Sequence, residues 1–258
     1  MMSAPIPLQA FTDNYIWIVA DKANASFFCV DPGESAPVLE YARKTSQTLA
    51  AILLTHHHSD HIGGVEALCA DFPDARVYAP MDARIGEQVQ RVKEGDTIEL
   101  RDFRFQVLET PGHTATHISL LEPDKGWLFC GDTLFSAGCG RVFDGTVQAL
   151  YRSLSRMKAL PGTTLLYPAH EYTRQNIQFA RTMEPNNEAL IQYEKQLSRM
   201  PQSCSLPSTV ARECAINPFL RTECPEIVAS ARKAGVSQTS PEAIFAWLRS
   251  EKNNFKPI

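Results

Sequence analysis

The chain has 258 residues, 44% of them hydrophobic, and a formal net charge of −4. That is ample material for a buried core, and it leaves no global basic surface of the kind that binds nucleic acid. Seven cysteines (Cys29, Cys69, Cys130, Cys139, Cys204, Cys214 and Cys224) lie scattered with no CxxC pair, which argues against a disulfide framework or a zinc ribbon and for reduced thiols.

In chain order, the N-terminal stretch MMSAPIPLQAF has no charged region followed by an apolar one, and no apolar run approaches the roughly 18–20 residues that span a bilayer. A soluble, cytoplasmic protein is expected. Short apolar or β-branched runs ended by turn residues then predict strands over 15–19, 26–30, 51–55, 76–78, 103–108, 118–121, 127–130 and 164–167. Helical spacing of apolar residues between them covers 36–44, 62–71 and 147–159. Strands and helices mixed in that proportion predict an α/β layered domain.

After His170 the strand signals stop, and helices are predicted over 174–183, 188–200, 209–215 and 225–234. The clearest is the last: Ser240 is a good N-cap, Pro241 suits the first helical position, and Ile244, Phe245 and Leu248 form an apolar stripe. A domain change is therefore expected near residue 168, with an α/β domain over 1–168 and a helical domain over 169–258.

Histidine is distributed unevenly. Four of the seven fall within His56-His57-His58-Ser59-Asp60-His61, directly after the apolar run 50–54 and before Gly63-Gly64. In an extended segment residues i and i+2 point the same way, so His56 and His58 can share one cation. As the chain turns into a helix, Asp60 and His61 face a second position, and His57 points away. Three more ligand-type residues each follow an apolar run: His113 in a tight turn after Leu108, Asp132 after Cys130-Gly131, and His170 after Tyr167-Pro168. Several strand ends can thus converge on one point, with imidazole and carboxylate donors that zinc, iron or manganese would accept. His117 is left for a structural or supporting role.

His56, His58, Asp60, His61, His113, Asp132 and His170 resemble the motif signature of the metallo-β-lactamase superfamily. The resemblance implies an αβ/βα four-layer sandwich followed by a smaller all-helical C-terminal domain. It implies two divalent metal ions, zinc first, with iron or manganese as alternatives. His56, His58 and His113 would hold one, Asp60, His61 and His170 the other, with Asp132 between them. Such a pair activates a shared water as hydroxide and stabilises a tetrahedral oxyanion, which suits a thioester, whose thiolate leaves with little acid help. No Gly-x-Ser-x-Gly elbow or P-loop competes with this reading.

The segments 131–141, 169–173, 217–221 and 249–256 resemble the glyoxalase II family. That likeness implies hydrolysis of S-(2-hydroxyacyl)glutathione thioesters, chiefly S-D-lactoylglutathione, with Arg141, Phe143, Tyr172, Arg249 and Lys252 at the glutathione site; a monomer is expected. Arg249 and Lys252, at i and i+3, share a helix face if the last helix extends that far. Two positions depart from the family pattern: Arg141 stands where many members carry Lys, and Phe143 where some carry Tyr, which removes one hydrogen bond to the peptide. The rival expectations are another enzyme of the superfamily, such as a lactonase or a glutathione persulfide dioxygenase, and a non-catalytic module on the same fold.

Overall fold

The computed structural model describes residues 4–200 and 204–256; Met1, Met2 and Ser3, the start of the stretch read for a leader, lie outside it. The chain divides into two compact units, one of residues 1–109 and 116–131, the other of residues 110–115 and 132–258.

In the first unit a six-stranded sheet runs β1 (Ile6–Ala10), β2 (Asn14–Asp21), β3 (Ser26–Val30), β4 (Thr48–Leu53), β5 (Arg76–Pro80), β6 (Gln90–Val92), in sequence order. The first three are antiparallel, and β3 through β6 are parallel. Two of the three parallel crossovers, β3 to β4 and β4 to β5, place helices on a face. These helices are α1 (Ala36–Thr45), α2 (Ser59–Ile62) and α3 (Val65–Asp71). Burial on both faces explains why β2 and β3 read as continuous apolar runs rather than alternating ones. Phe27 packs edge-on against Tyr41 of α1, whereas Phe28, one residue on and facing the other way, meets Phe103 and Phe105. Those two rings belong to an antiparallel meander, β7 (Thr97–Leu100), β8 (Phe103–Glu109), β9 (Ile118–Glu122) and β10 (Trp127–Gly131). The unit is thus helices, sheet and sheet in layers, with Ile16, Ile18, Phe27, Val38, Leu49, Ile52 and Leu68 in one core.

The single helix expected over 62–71 is broken in two. Gly63 and Gly64 separate α2 from α3, and a Cβ on either would stand 2.7 Å or less from backbone of residues 32–35. The close approach is sealed by the Gly64 N–H donating to the Pro32 carbonyl at 2.9 Å.

The second unit holds a tight hairpin, β11 (Leu134–Phe135) with β12 (Gly138–Cys139), and a two-strand pair, β13 (Leu165–Pro168) with β14 (Ser208–Thr209). Its helices are α4 (Val147–Lys158), α5 (Thr173–Met183), α6 (Glu188–Ser198), α7 (Val210–Ile216), α8 (Pro225–Lys233) and α9 (Pro241–Asn254). Among the described residues after 168 the regular structure is therefore helical except for β14, whose two residues are too few to leave a periodic signal. Capping follows the sequence: Thr146, Asn187, Thr209 and Ser240 each accept a backbone N–H three residues on. Among the described residues no helix is long and apolar enough to cross a membrane.

Candidate metal centre

In the first unit, β4 ends at Leu53 and delivers Thr55 to a buried carboxylate. The Thr55 N–H and hydroxyl donate to the two oxygens of Asp31, each at 2.8 Å. That anchor fixes the chain just before His56. His58 keeps an extended backbone as the N-cap of α2, and the helix then swings Asp60 and His61 round. The outcome is a cluster of three imidazoles. His56 Nε2 lies 3.0 Å from His58 Nδ1, and the His56 and His61 ring centres are 4.0 Å apart. His61 Nε2 lies 3.5 Å from Asp60 Oδ2, while its Nδ1 lies 3.1 Å from Asp31 Oδ2. At that distance the Asp31 carboxylate favours a proton on Nδ1 electrostatically, without an aligned hydrogen bond, and so a lone pair on Nε2.

His57 is turned out of this cluster as expected, with Nδ1 3.4 Å from Asp82 Oδ2. The Arg84 guanidinium beside Asp82, helped by Thr116, holds that carboxyl well below the usual range against its own burial. His117 stacks on His56 at 4.9 Å, and Gly131 leaves room for it: a Cβ there would stand 2.7 Å from His117 Nε2.

In the second unit, His113 sits in a turn made possible by Gly112, which has a φ of 145° and where a Cβ would stand 2.4 Å from Leu150 Cα. His113 Nδ1 donates to the Arg141 carbonyl at 2.7 Å, which again leaves Nε2 as the lone-pair nitrogen. Asp132 stands between β10 and β11 with one oxygen beside each of two histidines. Its Oδ2 is 3.5 Å from His113 Nε2, and its Oδ1 is 3.5 Å from His170 Nε2. His170, following β13, is backed by Tyr172, stacked on it at 4.7 Å, and by the edge of Phe135.

The donor chemistry fits divalent metal. Separations of 3.5 Å are too long for charge-assisted hydrogen bonds. Two donors bound to one cation at about 2.0–2.1 Å in tetrahedral geometry stand roughly 3.3–3.4 Å apart. The 3.0 Å approach of two imidazole nitrogens needs either a shared proton or a cation near them.

The residues expected at the glutathione site all lie in the second unit. Arg141 is exposed, its guanidinium 5.7 Å from the centre of the Phe143 ring; Phe143 is 60% exposed and stands edge-on to His113 at 5.2 Å. Helix α9 extends through both Arg249 and Lys252. Arg249 is buried: its Nη1 donates to the carbonyls of Cys139 and Gly140 at 2.8 and 3.1 Å, and its guanidinium covers Phe219. Arg249 is thus tied to the hairpin that follows Asp132. Lys252 Nζ lies 5.3 Å from the ring centres of Phe179 and Phe255. Burial, and then the Arg249 charge, push its pKa down to about 8, with the Cys139 thiol pulling the other way.

A second layer of residues left no sequence signal. Glu213, fully buried, accepts on one oxygen from the hydroxyls of Ser136 and Ser208, and on the other from the Ala137 N–H and Asn217 Nδ2. Asn217 also donates to the carbonyls of Phe135 and Gly138, and Asn176 to that of Ser136. Together they hold the β11–β12 turn, where Ala137 has a φ of 55°. Ser136, Ala137 and Asn217 fall in the segments 131–141 and 217–221, which are read for their family likeness and not for this role.

Layered sheets with strand-end histidine and aspartate donors define a metal-dependent hydrolase domain of the metallo-β-lactamase type. Residues 15–170 match the model of the metallo-β-lactamase superfamily, and residues 171–255 that of the hydroxyacylglutathione hydrolase C-terminus. The hydroxyacylglutathione hydrolase of Legionella pneumophila (strain Corby) is 49% identical over 97% of this chain and 99% of its own length. That of Vibrio cholerae serotype O1 is 46% identical over 96% and 98%. Among solved structures, ETHE1 from Myxococcus xanthus superposes with a TM-score of 0.68 at 26% identity, covering 99% of this chain and 92% of that one. The chain belongs to the hydroxyacylglutathione hydrolase family, a family of thioester hydrolases on the αβ/βα sandwich with a helical C-terminal region.

Proposed function

We propose that this chain hydrolyses S-(2-hydroxyacyl)glutathione thioesters, S-D-lactoylglutathione first among them, to glutathione and a 2-hydroxy acid. The observation that carries the substrate class is the near-full-length likeness to hydroxyacylglutathione hydrolases, including the C-terminal region. In this reading residues 1–168 are the catalytic domain and 169–258 the substrate-binding one. The protein is a cytoplasmic monomer whose native metal is zinc, with iron or manganese able to replace it.

His56, His58 and His113 would hold one cation; Asp60, His61 and His170 would hold the second. Asp132 would be shared, a role supported by its having one oxygen beside His113 and the other beside His170. Bound there, a pair of divalent cations supplies an acidified water and Lewis-acid polarisation of a carbonyl. The chain's own contribution is orientation. Asp31 and the Arg141 carbonyl set the tautomers of His61 and His113, and the two acidic ligands, Asp60 and Asp132, balance cationic charge. Arg141, Arg249 and Lys252 form the cationic side of the glutathione site, with Tyr172 as a hydrogen-bonding contact and Phe143 as an apolar one. The departing thiolate is a weak base, so the absence of a dedicated general acid from this set is consistent with a thioester.

The test is turnover of S-D-lactoylglutathione by purified, metal-analysed protein, followed as loss of thioester absorbance. Turnover that a chelator abolishes supports the reading. A fully metallated sample that leaves this thioester intact refutes it.

A further inference from the structure

We infer that Asn14 is a positioning residue for the metal centre, holding the Asp60 carboxylate in its ligating orientation; the inference rests on Asp60 being a metal ligand, as proposed above. Asn14 opens β2 opposite Ala10 and is 7% exposed. Its Nδ2 donates to Asp60 Oδ2 at 3.0 Å and approaches the Asp60 carbonyl at 3.4 Å. Forty-six residues separate the two in sequence, so tertiary packing alone brings them together.

Asp60 needs such a partner. It lies in a helix of four residues, which imposes little order by itself, and its side chain is 38% exposed, open to water that would let the carboxylate turn. The backbone and the carboxylate are pinned separately. Behind the backbone stands Gly33, where a Cβ would fall 1.9 Å from the Asp60 carbonyl oxygen and 2.8 Å from the Phe11 ring. On the side chain stands Asn14. Asn14 is itself held by the turn between β1 and β2, where Phe11 takes a φ of 48° and its N–H donates to Glu34 Oε2 at 2.6 Å.

The choice of an amide also has a reason. A lysine or arginine here would neutralise the carboxylate and compete with a cation for it. An amide donates a hydrogen bond and adds no charge, and a carboxylate with about four lone-pair sites keeps capacity for metal. Partners of this kind typically contribute about 10–100-fold in metal affinity.

The experiment titrates Zn²⁺ into metal-free full-length protein against a chromophoric chelator, for the parent chain, Asn14→Leu and Asp60→Ala. Expected for Asn14→Leu is a loss of about 10–100-fold in the affinity of one of two sites. Excess Zn²⁺ should restore its kcat, with KM unchanged. A merely structural defect would not be rescued by metal. If Asn14→Leu binds both ions as tightly as the parent while Asp60→Ala loses one, the inference is overturned and the metal reading stands. If Asp60→Ala also keeps both at full affinity, both fall. Should Asn14→Leu not fold, Asn14→Ser, too short to reach Asp60, is measured in its place, with the same outcomes deciding.

Discussion

Raising the pH through 8 should discharge Lys252 and, with it, part of the attraction for a glutathione carboxylate. The side chain lies among Phe179, Phe255 and Arg249, and burial favours its neutral form, so the amine is charged below about 8 and neutral above it. At pH 9 about one molecule in eleven keeps the proton. If only the charged form binds productively, kcat/KM drops about tenfold between neutrality and pH 9. A charged hydrogen bond contributes about 1.5–3 kcal/mol, so the decline should level off at roughly 10–150-fold. The assay is kcat/KM for S-D-lactoylglutathione from pH 6.5 to 9.5, with uncatalysed hydrolysis subtracted, since this parameter reports the free enzyme. Lys252→Arg, whose guanidinium stays charged throughout, should flatten the alkaline limb. An identical decline in the parent chain and in Lys252→Arg would show that another group titrates and would refute the reasoning.

Two further substitutions probe the loop that carries Asp132. Glu213→Ala strands the Ala137 N–H and leaves a cavity, at a cost of about 2–5 kcal/mol in chemical denaturation. Glu213→Gln can keep its oxygen toward Ala137 and Asn217 and donate to Ser136 and Ser208, whose hydroxyls can reverse, so it should stay within about 1 kcal/mol of the parent. Burial raises the Glu213 pKa above the ordinary 4.5 against the pull of its hydrogen bonds, so ionisation costs more in the folded state than in the unfolded one. The stability of the parent relative to Glu213→Gln should therefore fall as pH rises from 4.5 through the folded value, and a pH-independent difference would contradict that. Gly140→Ala sets a Cβ 1.9 Å from the Asp132 carbonyl oxygen, and should lose about 1–3 kcal/mol and part of its bound metal; an unchanged melting temperature and metal content would show that the loop adjusts freely.

The parts of this molecule that were legible in advance are those with a local cause. Strands β2, β3, β9 and β10 are apolar runs bounded by turn residues, and α9 carries both its cap and its stripe. The histidine block announced itself because HxHxDH at a strand end is rare as scaffold. Elements without a local cause were missed. Strand β1 contains Pro7 and lies at a sheet edge, β6 is Gln90-Arg91-Val92 with a single apolar residue, and β11, β12 and β14 have two residues each; β7, Thr97–Leu100, was missed as well although it alternates polar and apolar, because four residues are too few to stand out. Gly63 and Gly64 divided a helix because of a close approach from residues 32–35, which no periodicity records. The supporting polar residues were equally silent. Asp31 read only as the stop of a strand, and Asn14, Asp82 and Glu213 act on partners 46, 34 and 77 residues away. The seven proposed ligand positions follow from residue type and spacing, whereas what orients them depends on tertiary contacts.

The central proposal is that Asp132 is a ligand shared by two metal ions, and metal analysis of Asp132→Ala beside the parent chain tests it most directly. The account predicts about two metal ions in the parent, fewer in the variant with both sites weakened, and no thioester hydrolysis. A variant that keeps two ions per chain at the parent's affinity would contradict it.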